Sequence, residues 1–479
     1  MKSTILIFFE HTRKGEGRSV LTYDLSRTGQ PLYLQLYRAV RADILSGALT
    51  SGEKLPSKRA LAQHLEVSVA TVQNAYEQLL AEGYIDSVEK RGYFVRRVEA
   101  APVPPRAETP RAEAEREWFM DLATNSVPDA EFPFTVWTRL LRRTLLEQDK
   151  KLLRPVPFNG MRELREAIAE YLRAFRGMSV DPEQIIVGAG TEFLYHLLIE
   201  LLGRKLCYAV EDPGYGKIAA IYRSNEVSVV PVPLDREGLS LTALERTHAD
   251  VAHISPAHHY PTGLVMPIGR RQALLRWAGD TRYILEDDYD SEFRFTGRPI
   301  PPLFASDTRG RVVYLNTFSK TLAPSLRIAY MVLPPPLLQQ YRARLRFYAC
   351  TVPAFEQYTL ALFMRQGYFE RHISRMRSYY RRKRDAVIAA IAASELHGRA
   401  EIMEQDAGLH FLLRLDTVLS DDALRRRAAQ AGLRLALLSD YYADPDAAPR
   451  HVLVVNYTGI ELRDLAEALH RLAQIVQET

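Results

Sequence analysis

Lys320 stands just past a short apolar run, Val312 to Leu315, within Tyr314-Leu-Asn-Thr-Phe-Ser-Lys320-Thr-Leu-Ala-Pro-Ser-Leu-Arg327. The run reads as a buried strand, and a strand end that delivers an amine beside Thr317, Ser319 and Arg327 sets a nucleophile next to groups able to hold a phosphate. Those are the requirements of pyridoxal phosphate: a lysine amine for the Schiff base, and donors with positive charge for the phosphate. Taken alone, the stretch reads more simply as a solvated loop lysine. A second stretch changes the balance. Tyr283-Ile-Leu-Glu-Asp287-Asp-Tyr289-Asp is another apolar run, ending in carboxylates. A pyridine nitrogen keeps its proton when a carboxylate is held against it, and an Asp at the carboxyl end of a strand can do this. The Tyr289 phenol, two residues on, can hydrogen-bond the ring's hydroxyl oxygen. A solvated acidic turn and a divalent metal site are the competing readings. No His or further carboxylate has ligand spacing there, and the adjacent His258 and His259, in a Pro-bounded loop, have no third partner nearby. No metal is therefore expected.

With Val187-Gly-Ala-Gly190-Thr191 and Glu211-Asp-Pro-Gly-Tyr215, these stretches resemble the fold-type-I aminotransferase domain: the four motifs occur in that family's order, and the likeness covers about three quarters of the chain. The resemblance implies an α/β domain that binds pyridoxal phosphate through Lys320. It places Gly190, Thr191, Thr317, Ser319 and Arg327 about the phosphate, Asp287 and Tyr289 at the ring, and Tyr215 stacked on it. A core tyrosine is the competing role for Tyr215, and glycines at a helix start are often only turns. Main-chain N–H groups at a helix start nevertheless favour an anion.

The elements that must position these groups follow the pattern of such a domain. From Trp118 the chain alternates helical and short apolar segments, as an α/β domain should. Leu164, Ile168 and Leu172 repeat at helical spacing, Gln184 to Val187 reads as a strand, and Gly188-Ala-Gly-Thr191 opens the next helix. Ala407-Gly-Leu-His-Phe-Leu-Leu and Val452-Leu-Val-Val-Asn-Tyr457 read as parts of a smaller α/β subdomain. The basic run from Arg371 to Arg384 reads by default as a solvated helix face.

Upstream, the pattern is different. Leu32, Leu34, Leu36, Val40 and Ile44 give one apolar helical face that stops at Gly47; Ser57 can cap a second helix through Leu65, and Ser68 a third to about Glu82. Two short helices joined by a tight turn describe a helix-turn-helix, and Gly83 to Val88 with Arg91 to Val95 reads as a hairpin, the wing. The segment is similar to the GntR-type winged helix-turn-helix. That resemblance puts Ser57, Lys58 and Arg59 at the opening of the second helix, Ser68, Thr71 and Gln73 on the recognition helix, and Arg91 and Gly92 on the wing, as DNA contacts. Lys90, Arg96 and Arg97 join Lys58, Arg59 and Arg91 as phosphate contacts, which position without reading sequence. Val69 stands where the family usually has Arg, so a thymine methyl replaces a guanine as its expected contact. A small interaction module with solvated basic residues is the competing reading. Together the two parts resemble the MocR/GabR subfamily of GntR-type regulators.

At 479 residues the chain is too long for one core. The expected organisation is an N-terminal extension over 1–30, the winged helix-turn-helix over 31–98, an Ala-, Pro- and charge-rich linker over 99–116 and the aminotransferase-like domain over 117–479, with a large subdomain at about 150–340 and a small one at about 370–479. A net charge of +5 is compatible with nucleic acid without establishing it. Two cysteines, Cys207 and Cys350, form no metal or redox motif and suggest a reducing compartment. The apolar Ile5 to Phe9 is too short for a signal peptide, and no apolar run approaches the ~20 residues that span a bilayer. A cytoplasmic protein is expected.

Aminotransferases of this fold grip a substrate carboxylate with an arginine fork. By the resemblance that position falls on Gly459, while Lys217 and His258 are the candidate effector contacts; Arg414 or Arg434 remain as substitutes. The missing fork weighs against full transamination turnover. Three readings compete: a regulator that senses pyridoxal phosphate or an amine or amino acid, a working aminotransferase with a DNA-binding module, and a pure enzyme. The helix-turn-helix argues against the last and Gly459 against the second. The resemblance further implies a head-to-tail homodimer engaging two half-sites of a double-stranded operator. Tyr260, where the enzymes carry Asn before Pro, is a further departure.

Overall fold

The computed structural model describes residues 21–26, 29–98, 116–125, 127–295, 297, 299–404 and 408–477. The expected linker up to residue 115, and 1–20 and 27–28 of the expected N-terminal extension, lie outside the described residues. The chain divides into two units, 1–114 and 115–479.

In the first unit, helices span Leu32–Ser46, Lys58–His64 and Val69–Ala81, the latter two each one residue shorter than the sequence pattern suggests. Their starts are set by serines: the Ser57 hydroxyl accepts the Ala60 N–H and the Ser68 hydroxyl that of Thr71, each satisfying a donor that the first turn leaves free. Leu36, Val40 and Ile44 of the first helix meet Leu61 and Ala62 of the second and Val72, Ala75, Tyr76 and Leu79 of the third in one core. Burial of each of the large ones contributes about 1.5–3 kcal/mol. Strands Ile85–Val88 and Gly92–Val95 pair antiparallel, Ile85 opposite Val95. Tyr93 packs edge-on against Tyr76, ring centroids 4.9 Å apart, so the wing is fastened to the third helix.

The second unit is built on an eight-stranded sheet in the order Ile185–Gly188, Ala329–Val332, Val312–Thr317, Tyr283–Asp287, Val251–Ile254, Cys207–Asp212, Ser228–Asp235, Gly238–Leu239. Ala329–Val332 runs antiparallel to both its neighbours and Gly238–Leu239 to Ser228–Asp235; the other six strands share one direction. Five of the strands are buried along their length except at Tyr283, as in a sheet covered on both faces. Successive residues supply opposite cores: Ile185, Val187, Tyr314 and Tyr330 enter one cluster, Ile186, Val313, Leu315 and Met331 another.

A three-stranded antiparallel sheet, Ala400–Met403, His410–Leu415 and Val452–Asn456, carries the smaller subdomain. The sequence places that subdomain in the last part of the chain, but Met120–Asp121 also joins it, pairing parallel with Leu433–Arg434. The helix Tyr368–Ala393 spans both subdomains: Phe369 and Ile373 pack in the large core, Met376, Tyr380, Val387 and Ile391 in the small one. Its basic run is not a plain solvated face. Arg375, Arg377 and Lys383 donate to the carbonyls of Glu131, Glu292 and Thr458, because the long side chains span the gap between the helix and the loops it covers.

Candidate cofactor site and nucleic-acid interface

Six parallel strands ending on one edge of the sheet leave their loops together there, the usual place for a ligand in an open α/β fold. Three adjacent strand ends lie in register, Gly188 against Ala329 and Ala329 against Thr317. That brings the helix start at Thr191, the loop carrying Ser319 and Lys320, and Arg327 to one corner. Asp287 faces Leu315 on the next strand.

At the Asp287 end, the carboxylate is 7 % exposed and its Oδ2 accepts the Tyr195 hydroxyl at 2.5 Å. His253 stands behind it, Nε2 3.5 Å from Oδ2, its Nδ1 2.6 Å from the Tyr222 hydroxyl. Among the described residues, Asp287 Oδ1 is buried without a hydrogen-bond partner. A buried acceptor in that state is costly, and it is relieved by a ligand that brings an N–H. Neither Tyr195 nor His253 was legible as a site residue; Tyr195 lies one turn after Thr191 on helix Thr191–Leu202, and that i, i+4 spacing is the signal that could have found it. Beneath Asp287 runs a further buried network: Arg176 pairs with Asp288, which also accepts the Tyr314 hydroxyl at 2.7 Å. Burial and the Asp288 charge push the nearby Glu292 carboxyl up, against the pull of Arg176.

Lys320 donates from Nζ to the Asn125 carbonyl at 3.2 Å. Burial lowers its pKa below the ordinary lysine range, with the Asp290 charge opposing, so the amine is the better nucleophile for it. Asn125 is flanked by the small subdomain: Asn456 Nδ2 donates to Ala123 O at 2.7 Å and Thr458 Oγ1 to Asn125 Oδ1 at 3.4 Å.

At the opposite corner, Gly190 precedes helix Thr191–Leu202 with φ 90, and a Cβ there would collide with the Arg327 guanidinium. Only glycine lets the helix start and the arginine approach so closely. Thr317 Oγ1 donates to the Ser319 hydroxyl at 3.0 Å and accepts the Ser319 N–H at 3.1 Å. Arg327 also binds Glu192, Nη2 to Oε2 2.5 Å, and Lys217 binds the other oxygen of the same carboxylate. Lys217 is thereby brought to the Arg327 corner.

On the remaining side, His258 Nδ1 is 3.0 Å from both oxygens of Asp290 and 3.2 Å from the Tyr289 hydroxyl, while its Nε2 is buried without a partner among the described residues. Tyr260 meets Tyr441, hydroxyls 2.7 Å apart, and lies edge-on to Tyr215. Tyr215 is 51 % exposed, so the competing core role does not describe it. His259 Nε2 lies 3.5 Å from the Glu211 carboxylate; burial pushes Glu211 up to about 8 and His259 down to about 3. Gly459 is exposed in the turn after Val452–Asn456. Arg414 pairs with Glu401 at 3.1 Å, and Arg434 with Asp121 and the Thr124 hydroxyl, each at 3.2 Å.

These residues fit pyridoxal phosphate at both ends: an orphaned acceptor at Asp287 suits a ring N–H, and a helix start with Arg327 suits a phosphate. Lys320 offers the amine the aldehyde needs.

In the first unit, Ser57, Arg59, Ser68, Val69, Ala70 and Asn74 are exposed. The Thr71 hydroxyl is 2.9 Å from that of Ser68, and Gln73 donates to Glu77 at 2.8 Å, so both are held along the third helix. Lys58 Nζ stands 6.0 Å from the Tyr93 ring centroid and the Arg91 guanidinium 5.7 Å from that of Phe94. Gly92, φ 112, opens the second wing strand. Basic side chains of the second helix and of the wing thus stand beside the aromatic rings of the second wing strand.

Residues 32–95 match the family described as bacterial regulatory proteins, gntR family, and residues 117–443 match aminotransferase class I and II. The chain is 37% identical over 454 residues to YdeL of Bacillus subtilis (strain 168), described as an uncharacterized HTH-type transcriptional regulator, covering 92% of this chain and 96% of that one. It is 34% identical to MocR of Rhizobium meliloti, described as a probable rhizopine catabolism regulatory protein, over 92% of this chain and 93% of that one. Among solved structures it is similar to kynurenine aminotransferase of Pyrococcus horikoshii in complex with PMP, with a TM-score of 0.67 and 26% identity, over 76% of this chain and 91% of that chain.

Proposed function

The chain belongs to the GntR family of bacterial regulators, in the MocR-type branch that carries an aminotransferase class I and II domain, and from that premise we propose that it is a DNA-binding transcriptional regulator controlled through pyridoxal phosphate. The observation that carries the reading is the partnerless, buried Asp287 Oδ1 in the same site as the deprotonation-prone amine of Lys320. When bound, pyridoxal phosphate supplies an aldehyde carbon and an electron-withdrawing ring. The chain's own residues do the rest. Asp287, oriented by Tyr195 and His253, holds the proton on the ring nitrogen; Tyr289 faces the ring's oxygen and Tyr215 its face. Gly190, Thr191, Thr317, Ser319 and Arg327 hold the phosphate, and Lys320 holds the aldehyde end.

The signal is pyridoxal phosphate itself, or an amine or amino acid that reacts where Lys320 does, with His258 at the effector side. The absence of a carboxylate fork favours the first. Arg414 and Arg434 are each engaged by a carboxylate of the small subdomain's surroundings. Full transamination is not part of this reading, and an active aminotransferase with a DNA-binding module is the disfavoured second one. The protein acts as a cytoplasmic homodimer, arranged head to tail, on an operator of two half-sites. Exposed apolar side chains, Phe134, Leu145, Leu146 and Leu153, support a self-association surface.

Any signal must bind two conformations with different affinity. The test is binding of the purified protein to a labelled fragment of its own upstream DNA, cofactor-free against loaded, at one salt concentration. We expect loading to change the affinity or the number of half-sites occupied. Equal binding by both forms would move the signal to amines that react at Lys320, and no DNA binding alongside turnover of amino donors would overturn the reading.

A further inference from the structure

Glu192 is the second residue of helix Thr191–Leu202. Its carboxylate lies on Arg327 through Oε2 and on Lys217 through Oε1, and its own backbone N–H at the helix start also donates to it. The arginine that would grip an incoming phosphate at this corner, and the lysine beside it, are thus already on an anion supplied by the chain. The three side chains are open to solvent, 50 % exposed for Arg327 and for Lys217 and 30 % for Glu192, so the arrangement can be exchanged without disturbing a core. Partial burial opposes ionisation of Glu192, but the hydrogen bonds from Lys217, the backbone and Arg327 prevail and set its carboxyl at about 2. The competing anion is therefore present throughout the physiological pH range.

We propose that Glu192 is a built-in competitor for the phosphate subsite, which weakens the hold on the phosphate group of a bound ligand and so tunes the affinity of the site for pyridoxal phosphate. The inference rests on the reading of this site as a pyridoxal phosphate site. A phosphate arriving at Arg327 has two courses. It displaces the carboxylate, at the cost of two charge-assisted hydrogen bonds, or it shares the cations with it, at the cost of like-charge repulsion. Either course lowers the contribution of the phosphate to binding while leaving the Asp287 and Lys320 ends untouched. A site so weakened fills and empties over a range of ligand concentration, as a sensor requires, where an unopposed cup stays full.

The experiment is a spectral titration of wild type and Glu192→Gln with pyridoxal phosphate and, separately, with pyridoxal, which lacks the phosphate. The substitution keeps size at a partly exposed position, and thermal unfolding of the variant checks the fold. Glu192→Gln is expected to tighten pyridoxal phosphate by about tenfold and to leave pyridoxal unchanged, so that the ratio of the two dissociation constants rises by the same factor. An unchanged or reduced ratio would overturn the proposal; a reduced one would make Glu192 a positioning residue for Arg327. Binding of neither ligand by wild type would overturn the reading of the site and the inference with it.

Discussion

Around Ser57 to Asn74 the side chains that would meet a partner stand in solvent on short, serine-capped helices, whereas around Asp287 they are buried and cross-linked by hydrogen bonds, and the half-buried Lys320 amine is lowered in pKa. The first surface is held from behind by an apolar core, and its outward residues are spare to the fold. The second is part of the fold: its carboxylates, histidines and tyrosines sit at the ends of the strands that make the sheet. The difference reflects what each must recognise. A phosphate backbone is long and tolerates many weak contacts, while a small ring demands few groups held rigidly, with their polar atoms kept from water.

That contrast can be broken by substitution. Lys320→Ala is expected to have the largest effect, complete loss of the visible absorption of lysine-bound pyridoxal phosphate, with far-ultraviolet circular dichroism unchanged because the amine's one hydrogen bond among the described residues is to the Asn125 carbonyl. An unchanged spectrum would remove Lys320 from the site. Arg59→Ala should weaken DNA binding several-fold and lower the salt slope by about 0.9 for one phosphate contact, with no change in cofactor spectrum; loss of cofactor would erase the contrast between the regions. The smallest effect is on pH dependence. Glu211 titrates in the folded protein at about 8, above its unfolded value, so the stability it contributes is full below about pH 4.5 and lost as the pH rises toward 8. Glu211→Gln should flatten that decline in chemical-denaturation measurements between about pH 5 and 8, and a decline of equal slope in the variant would assign it elsewhere.

The same contrast governs what could be read in advance. Strand ends and helix starts are local, so Lys320, Asp287 and Gly190-Thr191 stand out by their position after apolar runs, and Ser57 and Ser68 mark the two helices of the first unit. The fold class and the family follow from these. The pairing of His253 and Tyr195 with Asp287, and of Arg176 with Asp288, depends on which strands and helices become neighbours; the i, i+4 step from Thr191 to Tyr195 is a local hint, and His253 and Arg176 carry none. The return of Met120–Asp121 to the small subdomain was hidden for the same reason: two paired residues are too few to show a period. The basic run of Tyr368–Ala393 misleads in the opposite sense, since charge suggests solvent, yet Lys383 is buried with its amine on the Thr458 carbonyl.

Val312–Thr317 and Ala329–Val332 form an antiparallel pair joined by a single loop, and that loop carries both Lys320 and Arg327. On the proposed reading, the aldehyde and the phosphate of the ligand would be held by one piece of chain, as a chelator grips an ion. Holds of this kind are not lost one at a time. While the loop is closed, a ligand freed at one end is recaptured through the other; once the loop opens, both go together. Residence time would then be set by the opening rate of this hairpin, and the backbone amides of Ser319 to Arg327 should gain their protection from hydrogen exchange as a unit on loading.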